Sequence, residues 1–210
     1  MKIVNVMASS LDGRIGVHDK EGDSERLGVG MSNSEDQKRL RAHIESSDAI
    51  VVGASSIRAN GSCLDHPGLH KKPPVWFIFA QKPLPESYEF WNQKHIRRVL
   101  VSSHPLPIVE GSGVESLTYG SAEPAMFLSL YLKMHNFTRA LLFGGGIVNS
   151  WFYNQKLVDQ LELTLTPMMI GKPNAPFLVA PTLGEAKQFL LLSSQASESF
   201  VFLSYSVAYE

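Results

Sequence analysis

The chain has one cysteine, Cys63, among its 210 residues. That excludes an internal disulfide and a four-cysteine metal site. Net charge is nearly absent too. Nineteen Lys and Arg against 20 Asp and Glu leave −1, so nucleic acid is not an expected partner. No stretch approaches the roughly 18 apolar residues of a membrane span. There is no G-x-S-x-G for a hydrolase serine and no H-E-x-x-H for a catalytic zinc. His66 and His70 are four apart but straddle Pro67-Gly68, which breaks a helical metal pair, and no metal is expected. Repeats, low-complexity tracts and linkers are missing, so residues 1–210 are expected to form one domain. The N-terminus runs from Met1 directly into strand-like Lys2-Ile3-Val4-Asn5-Val6 without a signal-peptide cleavage region. A cytoplasmic protein with no membrane partner is expected.

What is present is an ordinary globular composition, 44% hydrophobic and 19% charged. Lys2 to Ala8 reads as a buried strand. Turn-rich Ser9 to Gly16 follows, then a polar loop from His18 to Met31. Ser32 with Glu35, and Ser34 with Gln37, form overlapping capping boxes that predict a helix to about Ser47. Asp48 to Gly53, Val75 to Ala80, Arg98 to Val101 and Ala140 to Phe143 are short apolar runs typical of buried parallel strands. Pro85 to His95 is a weak helical candidate. Glu123 to Asn136 is a stronger one, with Pro124 suited to its first turn. Leu161, Leu163 and Leu165 alternate with Glu162, Thr164 and Thr166, as in a half-buried strand. Phe189 to Ser193 and Phe200 to Tyr205 predict an antiparallel C-terminal pair. The fold class is α/β, with a mixed, mostly parallel sheet flanked by helices.

Two glycine-bearing segments lie just past predicted strand ends, where open α/β sheets bind ligands. In Leu141-Leu142-Phe143-Gly144-Gly145-Gly146-Ile147-Val148, an apolar strand runs into three glycines and then a helical stripe of Ile147, Val148, Trp151 and Phe152. Glycine admits close backbone approach, and a helix N-terminus favours a pyrophosphate. A tight turn without ligand fits the glycines alone as well. Gly53-Ala54-Ser55-Ser56-Ile57-Arg58-Ala59-Asn60-Gly61 offers small and hydroxyl-bearing residues and is also a common loop composition. Trp76, Phe77 and Phe79 read as core or pocket wall. Cys63 has no evident base partner and reads as an inert thiol.

Taken in order, these segments resemble a known family. Ala8-Ser9-Ser10-Leu11-Asp12-Gly13-Arg14-Ile15 is followed by Ser32-x-x-Glu35-Asp36 with Leu40-Arg41-Ala42, and then by Asp48-Ala49-Ile50-Val51-Val52-Gly53. The triple glycine, Leu157-Val158-Asp159-Gln160-Leu161 and Thr166-Pro167-Met168-Met169-Ile170-Gly171 complete the series. The pattern is similar to the reductase domain of bacterial riboflavin biosynthesis from about residue 2 to about residue 205. The companion zinc deaminase's P-C-x-x-C element is missing from this sequence, which has a single cysteine. The resemblance implies a dihydrofolate-reductase-like three-layer fold, a homodimer and NADPH as cofactor. It also implies hydride transfer to C1 of the ribose of a phosphoribosylaminopyrimidine, a small-molecule substrate. Ala8, Leu11, Gly13, Arg14, Ile15 and Gly16 are then expected to border the cofactor, with Gly53, Ala54 and Ser56. Gly144, Gly145, Gly146, Ile147 and Val148 are expected to hold the pyrophosphate, and Gln81 and Lys82 to neighbour the adenosine 2′-phosphate. Arg41 matches the arginine that meets the substrate's phosphate, and Leu64 falls in the substrate region.

Departures from the family pattern cluster where substrate is read. Asn60 takes the catalytic position next to nicotinamide and substrate, where the family has an acidic residue. An amide hydrogen-bonds there but cannot act as a carboxylate acid or base. The arginine expected shortly after Leu64 is replaced by His66-Pro67-Gly68, and Phe143 stands where a glutamate contacts the pyrimidine. Losing such partners costs about 1–3 kcal/mol per buried group. Three readings stay open: the riboflavin-pathway reductase, a same-fold reductase of a pterin or other imine or carbonyl substrate, and a non-catalytic NADPH-binding protein.

Overall fold

Strands that read as continuous Val, Ile and Leu runs do so because both their faces are covered. In β1 (Lys2–Ser9), Ile3 points into one core and Val4 into the other. In β2 (Ala49–Gly53), Ile50 and Val52 face one side, Ala49 and Val51 the opposite one. β3 (Val75–Phe79), β4 (Arg98–Ser102) and β6 (Arg139–Gly144) repeat that alternation. The computed structural model describes residues 1–18 and 21–209, with Asp23 described by its backbone alone. Residues 19 and 20 of the expected polar loop, and residue 210, lie outside the described residues.

The sheet has nine strands in the order β5-β4-β3-β2-β6-β1-β7-β9-β8, completed by β5 (Glu115–Thr118), β7 (Gln160–Leu165), β8 (Gln188–Ser197) and β9 (Phe200–Ala208). Pairing is parallel from β5 through to β7, then antiparallel for β7 with β9 and β9 with β8. Helices α2 (Ser34–Glu45) and α3 (Ala54–Asn60) cover one face through Ile44, Ala54 and Ile57. Helices α4 (Pro124–Met134) and α5 (Gly146–Asn154) cover the other through Leu128, Leu132, Val148 and Phe152. This is the expected α/β class, with antiparallel strands at the C-terminus. Among the described residues, no helix is long and apolar enough to cross a membrane.

Several local expectations are corrected. The polar segment after His18 contains a short helix, α1 (Asp23–Gly28), started by Gly22, whose N–H donates to Glu25 Oε2 at 3.1 Å. Neither serine caps α2. Asn33 Oδ1 accepts the Asp36 amide at 2.9 Å, and Ser32 Oγ donates instead to the Asp36 carboxylate at 2.7 Å. Pro85 to His95 forms turns with a 3-10 segment over Glu89–Trp91 rather than a helix. The cause is a buried arginine. Arg98 is 1% exposed, and its guanidinium takes the carbonyls of Phe90, Ile96 and Ser112, so this loop wraps a cation instead of satisfying itself. β5 was not legible at all, and the Gly53–Gly61 segment is helix α3 rather than loop.

Candidate active site

A cavity of about 250 Å³ lies between α2 and the sheet. Its floor comes from one face of five strands: Val6 and Ala8 of β1, Val52 of β2, Trp76 of β3, Phe143 of β6, and Glu162 and Thr164 of β7. Val6 pairs with Glu162 and Ala8 with Thr164 in the parallel β1–β7 ladder, which fixes these side chains in adjacent rows. The roof is α2, whose helical spacing turns Asp36, Leu40 and His43 inward. Phe143 meets Trp76 edge-on at 6.2 Å, so the wall has a flat aromatic element where a carboxylate was the family expectation.

Helix α3 explains how Ser56 and Asn60 reach the cavity together. Gly53 starts it and Gly61, at φ 72°, closes it with its amide on Ile57 O at 2.8 Å. Ala54 and Ile57 then face the core, while Ser56 and Asn60, one turn apart, line the cavity. Asn60 Nδ2 donates to Ser56 O at 3.2 Å. Arg41, exposed on α2, stands at the rim, and Leu64 also lines the cavity. Six residues expected from the sequence, Ala8, Arg41, Ser56, Asn60, Leu64 and Phe143, therefore share one cavity.

Apart from Ala8 and Ser56, the expected cofactor residues lie outside that cavity, around the strand tips. β2 and β6 are neighbours, and a Cβ on Gly53 would sit 3.4 Å from both Gly144 O and Val148 Cγ2, so the two glycine turns touch. Within the triple glycine the roles differ. A Cβ on Gly144 would collide with Asn149, and one on Gly146 would lie 2.6 Å from Phe177 O. Gly145 alone faces open space, at φ 90° and ψ 141°. It precedes the first turn of α5, whose leading amides have no partner within the helix.

The Ser9–Gly16 stretch is stitched to the chain's far end. Asp12 accepts the amides of Ile170 and Gly171 at 3.0 and 2.8 Å, and Ser10 Oγ donates to it at 2.6 Å. The serine hydroxyl first, and then those amides, hold its carboxyl well below the usual range. Arg14 donates to Ala175 O at 2.6 Å and lies 3.4 Å above the Phe177 ring; Ile15 N donates to Pro176 O. Leu11 remains 59% exposed. Gln81 is held by Tyr119 and Ser103, and beside it the Lys82 carbonyl accepts from Arg58 Nη2 at 3.0 Å.

Sequence reasoning missed the charged end of the cavity. Arg39 and His43 of α2 converge there on Glu162, which is only 7% exposed. The alternation in β7 had suggested that Glu162, Thr164 and Thr166 face solvent. Instead Thr164 and Thr166 are buried as well, because the polar side of β7 lies on the same sheet face as α2. The one available signal was an acidic residue inside a strand of high leucine content.

Comparison with known proteins agrees with the geometry. A protein-family model described as the RibD C-terminal domain matches residues 1–202. The riboflavin biosynthesis protein RibD of Chlamydia muridarum is 26% identical over 195 residues, covering 84% of this chain and 49% of that protein. The chain thus spans about half the length of that relative. A pyrimidine reductase-like protein from Corynebacterium diphtheriae superposes with TM-score 0.79 at 18% identity, over 100% of this chain and 92% of the other. Acinetobacter baumannii RibD gives 0.78 at 18% identity over 99% and 58%. Saccharomyces cerevisiae riboflavin biosynthesis reductase Rib7 gives 0.72 at 16% identity over 99% and 90%.

Proposed function

Because the chain belongs to the RibD C-terminal domain family, we propose that it is a reductase passing hydride from NADPH to a small heterocyclic or phosphoribosyl substrate. The observation that carries this reading is the gathering of Ala8, Arg41, Ser56, Asn60, Leu64 and Phe143 around one cavity beside the two glycine turns. The residues fit the cofactor at a specific place. Gly145 leaves space that a side chain would fill, and the first amides of α5 suit a pyrophosphate. Lys82, with Arg58 next to it, supplies positive charge for a 2′-phosphate.

NADPH, when bound, supplies the hydride. The chain's own share is positioning and exclusion of water. Ser56 and Asn60 present hydrogen-bonding groups from one face of α3, and Asn60 orients rather than exchanges protons. Arg41 at the rim attracts an anionic group of the substrate. Phe143 and Trp76 present an apolar wall to a flat ring.

That wall favours a second reading, reduction of a pterin or another imine or carbonyl substrate, since Phe143 offers no acceptor to a pyrimidine's N–H groups. NADPH oxidation with 5-amino-6-(5-phosphoribosylamino)uracil tests the first reading. Turnover of dihydropterins without turnover of that compound selects the second. Tight NADPH binding with no acceptor reduced leaves a binding protein, and absence of NADPH binding refutes all three.

We infer also that a second copy of the chain covers β8. Its Leu190, Leu191 and Leu192 are 63%, 55% and 57% exposed, on a ten-residue strand at the sheet border. Sedimentation is expected to give a dimer that Leu191→Lys weakens; a wild-type monomer at high concentration contradicts this.

A further inference from the structure

The buried end of the cavity holds a carboxylate whose two oxygens are treated differently. Glu162 Oε1 accepts from Ser204 Oγ at 2.7 Å and from Gln160 Nε2. Oε2 faces Arg39 Nη2 at 3.6 Å, a charge contact, and His43 Nε2 at 3.7 Å; both separations are too long for a hydrogen bond. Oε1 is saturated, whereas Oε2 of this cavity-lining side chain accepts no hydrogen bond among the described residues.

The surroundings of His43 favour one tautomer. Its Nδ1 lies 3.4 Å from Arg139 Nη2, and a guanidinium only donates, so Nδ1 carries the lone pair and Nε2 the hydrogen. Burial first, then the cations Arg139 and Arg39, against the opposing pull of Glu162, hold the imidazole below its ordinary value of 6.5. Arg39 is steadied over the Phe202 ring at 4.7 Å. The cavity thus ends in an acceptor from its floor and a neutral donor from its roof, with apolar Val6 and Leu40 also in its lining.

We propose that Glu162 Oε2 and His43 Nε2–H form a two-point reader for the N–H and C=O edge of a lactam ring. The carboxylate accepts the ring N–H, and the imidazole donates to the adjacent carbonyl oxygen. Two converging hydrogen bonds set the ring's in-plane orientation, and an analogue lacking the N–H leaves Glu162 Oε2 unpaired. The assignment rests on the reductase reading and specifies which edge of its substrate points to β7.

The test uses the full chain with NADPH, whose affinity is measured first. Long-range proton–nitrogen spectra of histidine-labelled protein, with His43 assigned by its loss in His43→Gln, are expected to show the Nε2–H tautomer at neutral pH. Uracil is expected to shift the Nε2 resonance, and 1,3-dimethyluracil, with both carbonyls but no N–H, to bind about tenfold more weakly. Glu162→Gln is expected to abolish that discrimination while NADPH affinity is unchanged. A Nδ1–H tautomer, equal affinity for the two rings, binding of neither, or discrimination retained in Glu162→Gln overturns the assignment. The wild-type spectra and ring pair decide even if the variant does not fold. Loss of NADPH binding by the wild type instead counts against the reductase reading, which separates the two failures.

Discussion

A Cβ on Gly144 would lie 2.0 Å from Asn149 Oδ1, so the glycine is required by the amide behind it. That amide is itself committed. Asn149 Oδ1 accepts from Asn5 Nδ2 at 3.2 Å, and Asn149 Nδ2 donates to Leu178 O at 2.7 Å. Tyr153 OH completes the set by donating to Asn5 Oδ1 at 3.0 Å. The turn between β6 and α5 is therefore bolted to β1 through buried polar bonds.

Asn149→Ala should lower stability by about 2–3 kcal/mol, because Asn5 Nδ2 and Leu178 O each lose a partner. Denaturant unfolding reads this directly. A midpoint equal to wild type would mean that the network carries no net stability.

Gly144 and Gly145 should fail in different ways. Gly144→Ala meets the Asn149 side chain and should reduce stability before anything else. At Gly145 a Cβ meets no protein atom within 4 Å beyond its chain neighbours, so Gly145→Val is far less crowded, although its backbone, at φ 90° and ψ 141°, carries about 1–3 kcal/mol of strain for any side chain. Its main effect should be a sharp loss of NADPH affinity in the folded fraction, measured by fluorescence titration. Wild-type affinity in Gly145→Val removes the phosphate role of this turn.

Lys82 and Arg58 flank the turn after β3, where Gln81 is already fixed by Tyr119 and Ser103. NADPH should bind more tightly than NADH, and rising salt should narrow the gap. Lys82→Gln should narrow it at low salt as well. Equal affinities for the two cofactors at low salt would show that no 2′-phosphate is read here.

Acid should destabilise the protein in two separate windows. With His43 held below 6.5 when folded, the unfolded chain takes up a proton that the folded one refuses, so stability falls as pH drops through about 6.5. Glu115 acts lower. Its hydrogen bond from Arg97 depresses the carboxyl below 4.5, and the stability it lends above that value is lost as pH falls further. Urea unfolding at pH about 7.5 and about 5.5 isolates the histidine contribution. His43→Gln should flatten that part of the profile, and an unchanged slope would assign it elsewhere.

Legibility in the sequence followed the range of the forces involved. β1, β2, β3, β4 and β6 were readable because residues buried on both faces leave an unbroken apolar run. The glycine turns were readable because a positive φ at Gly144 and Gly145 is a local demand. Helix α3 was not, since only Ala54 and Ile57 of its seven residues face the core and its helicity is imposed by packing. β5 is four mostly exposed residues recruited by the backbone of β4. The Glu162 end of the cavity was invisible for a further reason. Its members lie on α2, β6, β7 and β9, and only the tertiary fold makes neighbours of residues 39, 43, 139, 162 and 204.

The two borders of the sheet are unequal, and this has a consequence for crowded solutions. At one margin β5 offers four residues with Glu115 among them, a fringe too short and too charged to template another ribbon. At the other, β8 offers ten. Unlike margins do not join into an endless stack, so the pairing proposed above would bring β8 against β8 and stop at two molecules. A sheet with one long margin and one short, charged one is a poor template for a fibre.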